Sequence, residues 1–310
     1  MTLGQSLRGR GAHRCLYVLL AFAFLAGLAV CGGADRVRLD PESKSFYQYA
    51  RLIMTGEEKD IFNHLPDAAT RQEFIQDFWA KRDPDPGTKA NEFKDEFYRR
   101  IDYANRRFKE GTPGWKTDRG WVYIHVGEPD KTEEFHDNEN PEVRGSTIWW
   151  VYYRYELGIE FVDERNNGTY RMRNYDGDFL EAMDSLKLGA IPYTRGEKRR
   201  FANFKLSYEA DSREITVRLP SEAIDFQDDK GGFRADLDFQ VFVYRKGGPK
   251  LDEFKLEKSY QGTIEQTEKL KEISFVFPYS LAAGDYYLDV LITGRNGSLG
   301  KTRKIFEVKV

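Results

Sequence analysis

Apolar residues are spaced at a helical period in the first part of this chain and alternate strictly in the last. Between residues 42 and 110 the period is helical. Phe74, Ile75, Phe78 and Trp79 recur at that spacing, and Phe93, Phe97, Ile101, Ala104 and Phe108 form one stripe. Lys94, Asp95, Arg99, Arg100, Asp102 and Arg106 fall mostly on the opposite face. Asp83-Pro84-Asp85-Pro86-Gly87 must turn the chain, because each proline lacks an N–H and disfavours a helical residue before it. Thr88 or Asn91 can cap the helix that follows.

From Gly111 the period shortens. Trp121 to Val126 reads as a strand, closed by Gly127-Glu128-Pro129-Asp130. Thr147 to Tyr155 reads as a second, Ile159 to Val162 as a third and Thr169 to Arg173 as a fourth, with Asn166-Asn167-Gly168 as a hairpin turn. A short helix is expected within residues 177–188. The fold class is therefore α+β, with N-terminal helices packed on a small antiparallel sheet. Gly189, Pro192 and Gly196, with the charged run of Arg195, Lys198, Arg199 and Arg200, mark a solvated connector. Beyond it, Phe204-Leu206-Tyr208, Ile215-Val217-Leu219, Leu237-Phe239-Val241-Val243, Ile273-Phe275-Phe277 and Tyr286-Leu288-Val290-Ile292 alternate. Phe306, Val308 and Val310 close the chain. About seven strands in about a hundred residues suit an immunoglobulin-like β-sandwich. The expected organisation is a leader over residues 1–34, a helical and α+β module over 42–188 and a sandwich over 200–310.

The leader changes the picture of where the chain resides. Arg8, Arg10 and Arg14 precede the apolar run Leu16 to Val30, small residues follow it, and the first acid is Asp35. That pattern describes a secretory signal peptide. Leu28-Ala29-Val30-Cys31 is similar to a bacterial lipobox, although Val30 stands where that pattern has a smaller residue. Acylation of Cys31 and ordinary cleavage near Ala34 both stand. The expected location is the periplasm or outer membrane of a bacterium, with membrane contact only through signal or lipid anchor. Cys15 lies inside the removed segment, so no disulfide is expected in the mature chain. Loss of three arginines from 48 basic residues leaves 45 against 51 acidic ones, which disfavours nucleic acid as a partner. An envelope protein or a glycan is the expected partner class.

Gly114-Trp115-Lys116-Thr117-Asp118 is followed by Arg119-Gly120-Trp121-Val122-Tyr123-Ile124 and Gly127-Glu128-Pro129-Asp130. Upstream stand Phe78-Trp79-Ala80-Lys81-Arg82-Asp83-Pro84 and Asn91-Glu92-Phe93; downstream stands Ile148-Trp149-Trp150-Val151-Tyr152. These pieces, in order over about residues 45–180, resemble the bacterial GWxTD domain family. The resemblance implies an exported or lipid-anchored envelope protein, often with a β-domain after the module, and assigns no reaction.

In the pentapeptide, Trp115 needs a cover for its ring, and Thr117 and Asp118 can bond nearby backbone donors. Arg119 can pair with a carboxylate from the helices. The motif then reads as a latch between helix and sheet. His125, Glu128, Asp130 and His136 lie close enough in sequence to suggest a metal set, but they lack zincin spacing, and no metal or cofactor is expected. Asp83-x-Asp85-x-Gly87 fails as a calcium loop because Lys94 stands where the last acid would be. No nucleophile elbow, phosphate loop or dinucleotide fingerprint appears. Trp149, Val151 and Tyr153 share one strand face, and Trp150 and Tyr152 the other; an exposed face would be an aromatic platform. The expected function is therefore non-enzymatic binding or assembly, with Trp115, Thr117, Asp118, Arg119, Asp130, Trp149 and Trp150 as candidate binding residues. The alternative is an envelope hydrolase or carbohydrate-active protein using acids near the turn, such as Asp118 and Asp130.

Overall fold

The computed structural model describes residues 39–135, 145–180, 182–183, 203–229, 231–295 and 299–310. The expected leader with Cys31, the connector over 189–200 and His136 lie outside them. Residues 39–310 form one compact unit of α+β class.

The helices start where the sequence supplies caps. Asp40 caps α1 (Pro41–Ala50), and Thr55 with Glu58 makes a capping box on α2 (Gly56–His64). Asp67 caps α3 (Ala68–Ala80). Of the two cap candidates for α4 (Glu92–Arg107), Asn91 serves; its side-chain amide also donates to the Trp79 carbonyl at 2.8 Å. The proline-rich break lies between α3 and α4, and the predicted stripe of α4 is buried.

A 3-10 turn, Gly114–Lys116, leads into α5 (Asp118–Val126). The strand expected over Trp121 to Val126 is therefore a helix. A short apolar run does not distinguish the two by period. Thr117 at the N-cap and Asp118 in the first turn were the helix signal.

Four antiparallel strands follow in the order of the chain: β1 (Lys131–Phe135), β2 (Ser146–Tyr152), β3 (Leu157–Asp163) and β4 (Arg171–Asp176). The second expected strand ends early, in a 3-10 turn at Tyr153–Tyr155. β1 escaped prediction because Lys-Thr-Glu-Glu carries no apolar alternation. Residues 179–180 and 182–183 are helical, within the helix expected over 177–188.

The C-terminal sandwich pairs a three-stranded with a five-stranded antiparallel sheet. The first orders β10 (Glu272–Pro278), β6 (Glu214–Pro220) and β5 (Lys205–Glu209). The second runs from β12 (Thr302–Lys309) through β11 (Asp285–Gly294) to β8 (Gly232–Arg245). β7 (Gln227–Asp229) and β9 (Lys250–Thr263) also pair β8, and the short α6 (Ile264–Glu268) follows. Phe239 meets Phe275 across the two sheets, with ring centroids 5.2 Å apart. The opposite face of β8 and β11 is buried too: Phe242, Tyr244 and Tyr287 belong to the core of the helices.

Candidate functional site

Gly114 sits where the chain presses on α4: a Cβ there would lie 1.8 Å from the Ala104 carbonyl oxygen. The Trp115 N–H donates to Asn105 Oδ1 at 3.3 Å. The Trp115 ring is buried, edge-on to Tyr49, with the Arg51 guanidinium 5.5 Å from its centroid. Thr117 is buried and bonded twice. Its hydroxyl donates to the Gly114 carbonyl at 2.8 Å and accepts the Gly120 N–H at 3.1 Å, capping α5. Gly120 has no room for a side chain, since a Cβ would lie 1.8 Å from the Gly114 oxygen.

The next two residues tie this turn to the sheet. Asp118 Oδ2 accepts the Met172 N–H of β4 at 2.9 Å, and Oδ1 lies 3.4 Å from the Arg171 guanidinium. Arg119 pairs with Glu110 at 2.6 Å, and its guanidinium stacks 4.1 Å from the Tyr170 ring centroid. Glu110 in turn accepts the Tyr170 N–H at 3.0 Å. The motif and the residue after it thus tie α4, α5 and β4 of the sheet together.

At the far end of α5, Arg100 donates to the Ile124 and His125 carbonyls. The Tyr152 hydroxyl donates to the Gly127 carbonyl at 3.1 Å. Burial pushes the Tyr152 hydroxyl well above its ordinary range, so it stays a protonated donor. Asp130 accepts the Tyr153 N–H at 2.9 Å. His125 is buried, with Nδ1 at 2.8 Å from the Trp121 carbonyl and Nε2 at 3.0 Å from that of Leu52. Its ring nitrogens face backbone oxygens.

On β2, Ile148, Trp150 and Tyr152 are buried against the helices. Trp149 and Val151 are half-buried on the other face, Tyr153 beyond them is 59% exposed, and Trp149 lies on the bare backbone of Gly158. Trp149 and Trp150 therefore occupy opposite environments.

Beside the motif lies a cleft of about 170 Å³. Tyr103 and Tyr123, stacked on each other at 4.4 Å, are among its lining residues, with Phe108 and Trp150. Arg107, Arg119, Glu128 and Glu134 supply its charges. Of the residues singled out from sequence, Arg119 and Trp150 reach this cleft; Trp115, Thr117, Asp118, Asp130 and Trp149 do not line it. Sequence reasoning does not single out Glu110, Arg107 or Glu134. Only Glu110, directly before the helix-ending Gly111, carried any positional hint.

The GWxTD domain model matches residues 41–187. The chain is 27% identical over 157 residues to the 3-isopropylmalate dehydratase small subunit of Staphylococcus haemolyticus (strain JCSC1435), a match over 48% of this chain and 73% of that one. A beta-glucuronidase of Bacteroides uniformis aligns with 35% of this chain at 10% identity and a TM-score of 0.21, and the chain spans 13% of its length. The chicken interferon gamma receptor alpha chain aligns over its whole length with 60% of this chain, at 8% identity and a TM-score of 0.19. Neither structural likeness is close enough to bear on function. The pentapeptide, the helices before it and the sheet after it all fall inside the matched segment, and the chain belongs to the GWxTD domain-containing proteins.

Proposed function

We propose that this is an exported bacterial cell-envelope protein, of the periplasm or outer membrane, whose GWxTD module binds or assembles with a partner and catalyses no reaction. One observation carries the reading: the polar groups of the pentapeptide are engaged in holding α4, α5 and β4 together. Asp118 and Asp130, the acids of the hydrolase alternative, each accept a backbone N–H, from Met172 and Tyr153. A carboxylate that accepts a backbone N–H is serving as a structural acceptor at that oxygen. The half-exposed Trp149 and Val151 with exposed Tyr153 supply apolar surface for a partner. Export rests on the leader pattern of residues 1–34.

Two measurements test this. Thr117→Val and Asp118→Asn are expected to lower the melting temperature, and complementation of a deletion strain should fall only in step with the folded protein present. A variant that is fully stable, normally exported and functionally dead would restore the catalytic reading. Mass spectrometry of the mature N-terminus should find it at acylated Cys31 or near Ala34; an intact Met1 terminus on cytoplasmic protein would end the export proposal.

A further inference from the structure

The inward face of the small sheet is apolar on its central strands and polar on its edge. Ile148 and Trp150 on β2 and Ile159 and Phe161 on β3 are buried under the helices. Their register partners on β1 are different: Thr132 stands opposite Trp150 and Glu134 opposite Ile148, and both are exposed. A sheet face turned towards a core normally alternates apolar residues inwards. Polar residues at two successive inward positions do not fill this edge, and among the described residues the cleft lies there.

The charges around it are unequal. Arg119 is neutralised by Glu110 at 2.6 Å and covered by Tyr170. Glu128 and Glu134 are exposed and have no counter-ion among the described residues. Arg107, exposed at the same cleft, is the one lining guanidinium without an ion pair among the described residues. A neutral sugar would leave both carboxylates uncompensated, and an anion would meet them directly. A cation is complementary to the carboxylates and to the faces of aromatic rings. The cleft of about 170 Å³ is smaller than the several hundred Å³ of drug-sized sites, so it admits one side chain.

We propose that this cleft receives a single lysine or arginine side chain of a partner protein, between the Glu128 and Glu134 carboxylates and against the Tyr103 and Trp150 rings. The inference deepens the binding reading above and rests on it. Arg107 is the internal competitor: its own guanidinium offers the same charge to the same carboxylates, and an incoming cation must displace or tolerate it.

The test uses the full mature chain and small probes: N-acetyl-arginine amide, N-acetyl-lysine amide, N-acetyl-norleucine amide and cellohexaose. The NMR signal of the Trp150 indole N–H reports occupancy. The two cationic amides are expected to shift that signal saturably, and norleucine amide and cellohexaose to leave it in place. The double variant Glu128→Gln/Glu134→Gln is expected to weaken cation binding about tenfold or more, and Arg107→Gln to strengthen it severalfold. The carboxylates are exposed and have no ion pair among the described residues, so melting temperatures should match the parent. Equal binding of norleucine amide, occupation by cellohexaose, or a double variant that binds as the parent does would each overturn the assignment. Such a failure is distinct from failure of the binding reading, which is decided at Thr117 and Asp118.

Discussion

Two glycines and a threonine do most to fix the motif. A carbonyl oxygen occupies the place of a Cβ at both Gly114 and Gly120, so no rotamer change can relieve a substitution there. Gly114→Ala and Gly120→Ala must push backbone apart, and each is expected to cost about 3 kcal/mol in urea unfolding. A cost under about 1 kcal/mol at either would show that the turn yields. Thr117 acts through its hydroxyl. Thr117→Ala removes a helix cap and is expected to cost about 1–2 kcal/mol, while Thr117→Ser should restore most of it. Trp115, by contrast, is a core aromatic with cations over its ring, and its contribution is packing.

At the scale of elements, β11 departs from simple alternation. Tyr286, Leu288, Val290 and Ile292 face the sandwich core, and the residues between them are buried as well. Asp289 lies in that second row and anchors a buried ionic cluster with α2, with the end of α3 and with β12. Lys81 Nζ is 2.8 Å from Asp289, donates to the Tyr244 hydroxyl oxygen at 3.0 Å, and sits 3.8 Å from the Phe242 ring centroid. Arg303 bridges Asp289 at 2.6 Å and Glu58 at 2.8 Å, and Arg82 pairs with Glu58 at 2.8 Å. Three cations thus meet two carboxylates. Burial lowers the Lys81 ammonium's pKa, and Asp289 opposes that effect. Asp289→Ala would strand Lys81 and Arg303 and is expected to cost about 3–5 kcal/mol. Lys81→Met keeps the apolar stem and leaves two cations to two anions, so its cost should be clearly smaller. Denaturant midpoints of the two variants check this; a larger loss for Lys81→Met would refute the charge argument.

For the whole molecule, the cluster links acid stability to the joining of helices and sandwich. Burial alone would raise the Glu58 carboxyl, but Arg303 and Arg82 hold it down at about 2. Asp289 is likewise held below the usual carboxylate range, against burial, by Arg303 and Lys81. Both folded values lie below the unfolded ones of about 4, so the unfolded chain binds protons first. The stabilisation is therefore present above about pH 4.5 and is lost as pH falls towards about 2. Urea midpoints should drop steeply over that window, less so in Glu58→Gln; a midpoint unchanged down to about pH 3 would contradict it. Further ties, Tyr287 to Asp60 at 2.9 Å and Lys250 to Asp77 at 2.8 Å, join the same parts. Calorimetry is expected to show a single unfolding transition, and two separated ones would mean that helices and sandwich melt independently.

The helical stretch before the motif, the Asn91 cap, the break at Asp83–Gly87 and the alternation of the sandwich strands were readable from the chain, because period and turn chemistry are local properties. So was the role of Thr117 as a bonding partner of nearby backbone, whereas Asp118 takes its backbone donor from Met172, 54 residues away. The run from Trp121 to Val126 misled because all of its apolar residues pack inwards or sideways, and a short buried helix has no polar face to reveal its period. The second buried face of β8 and β11 was hidden in the same way: Phe242, Tyr244, Tyr287 and Asp289 become core only when α2 and α3 lie over them. The cleft has no sequence signature, since Tyr103, Glu128, Glu134 and Trp150 come from four separate stretches. Which side chains lack a counter-ion is decided by the approach of distant segments, and only tertiary structure brings those segments together.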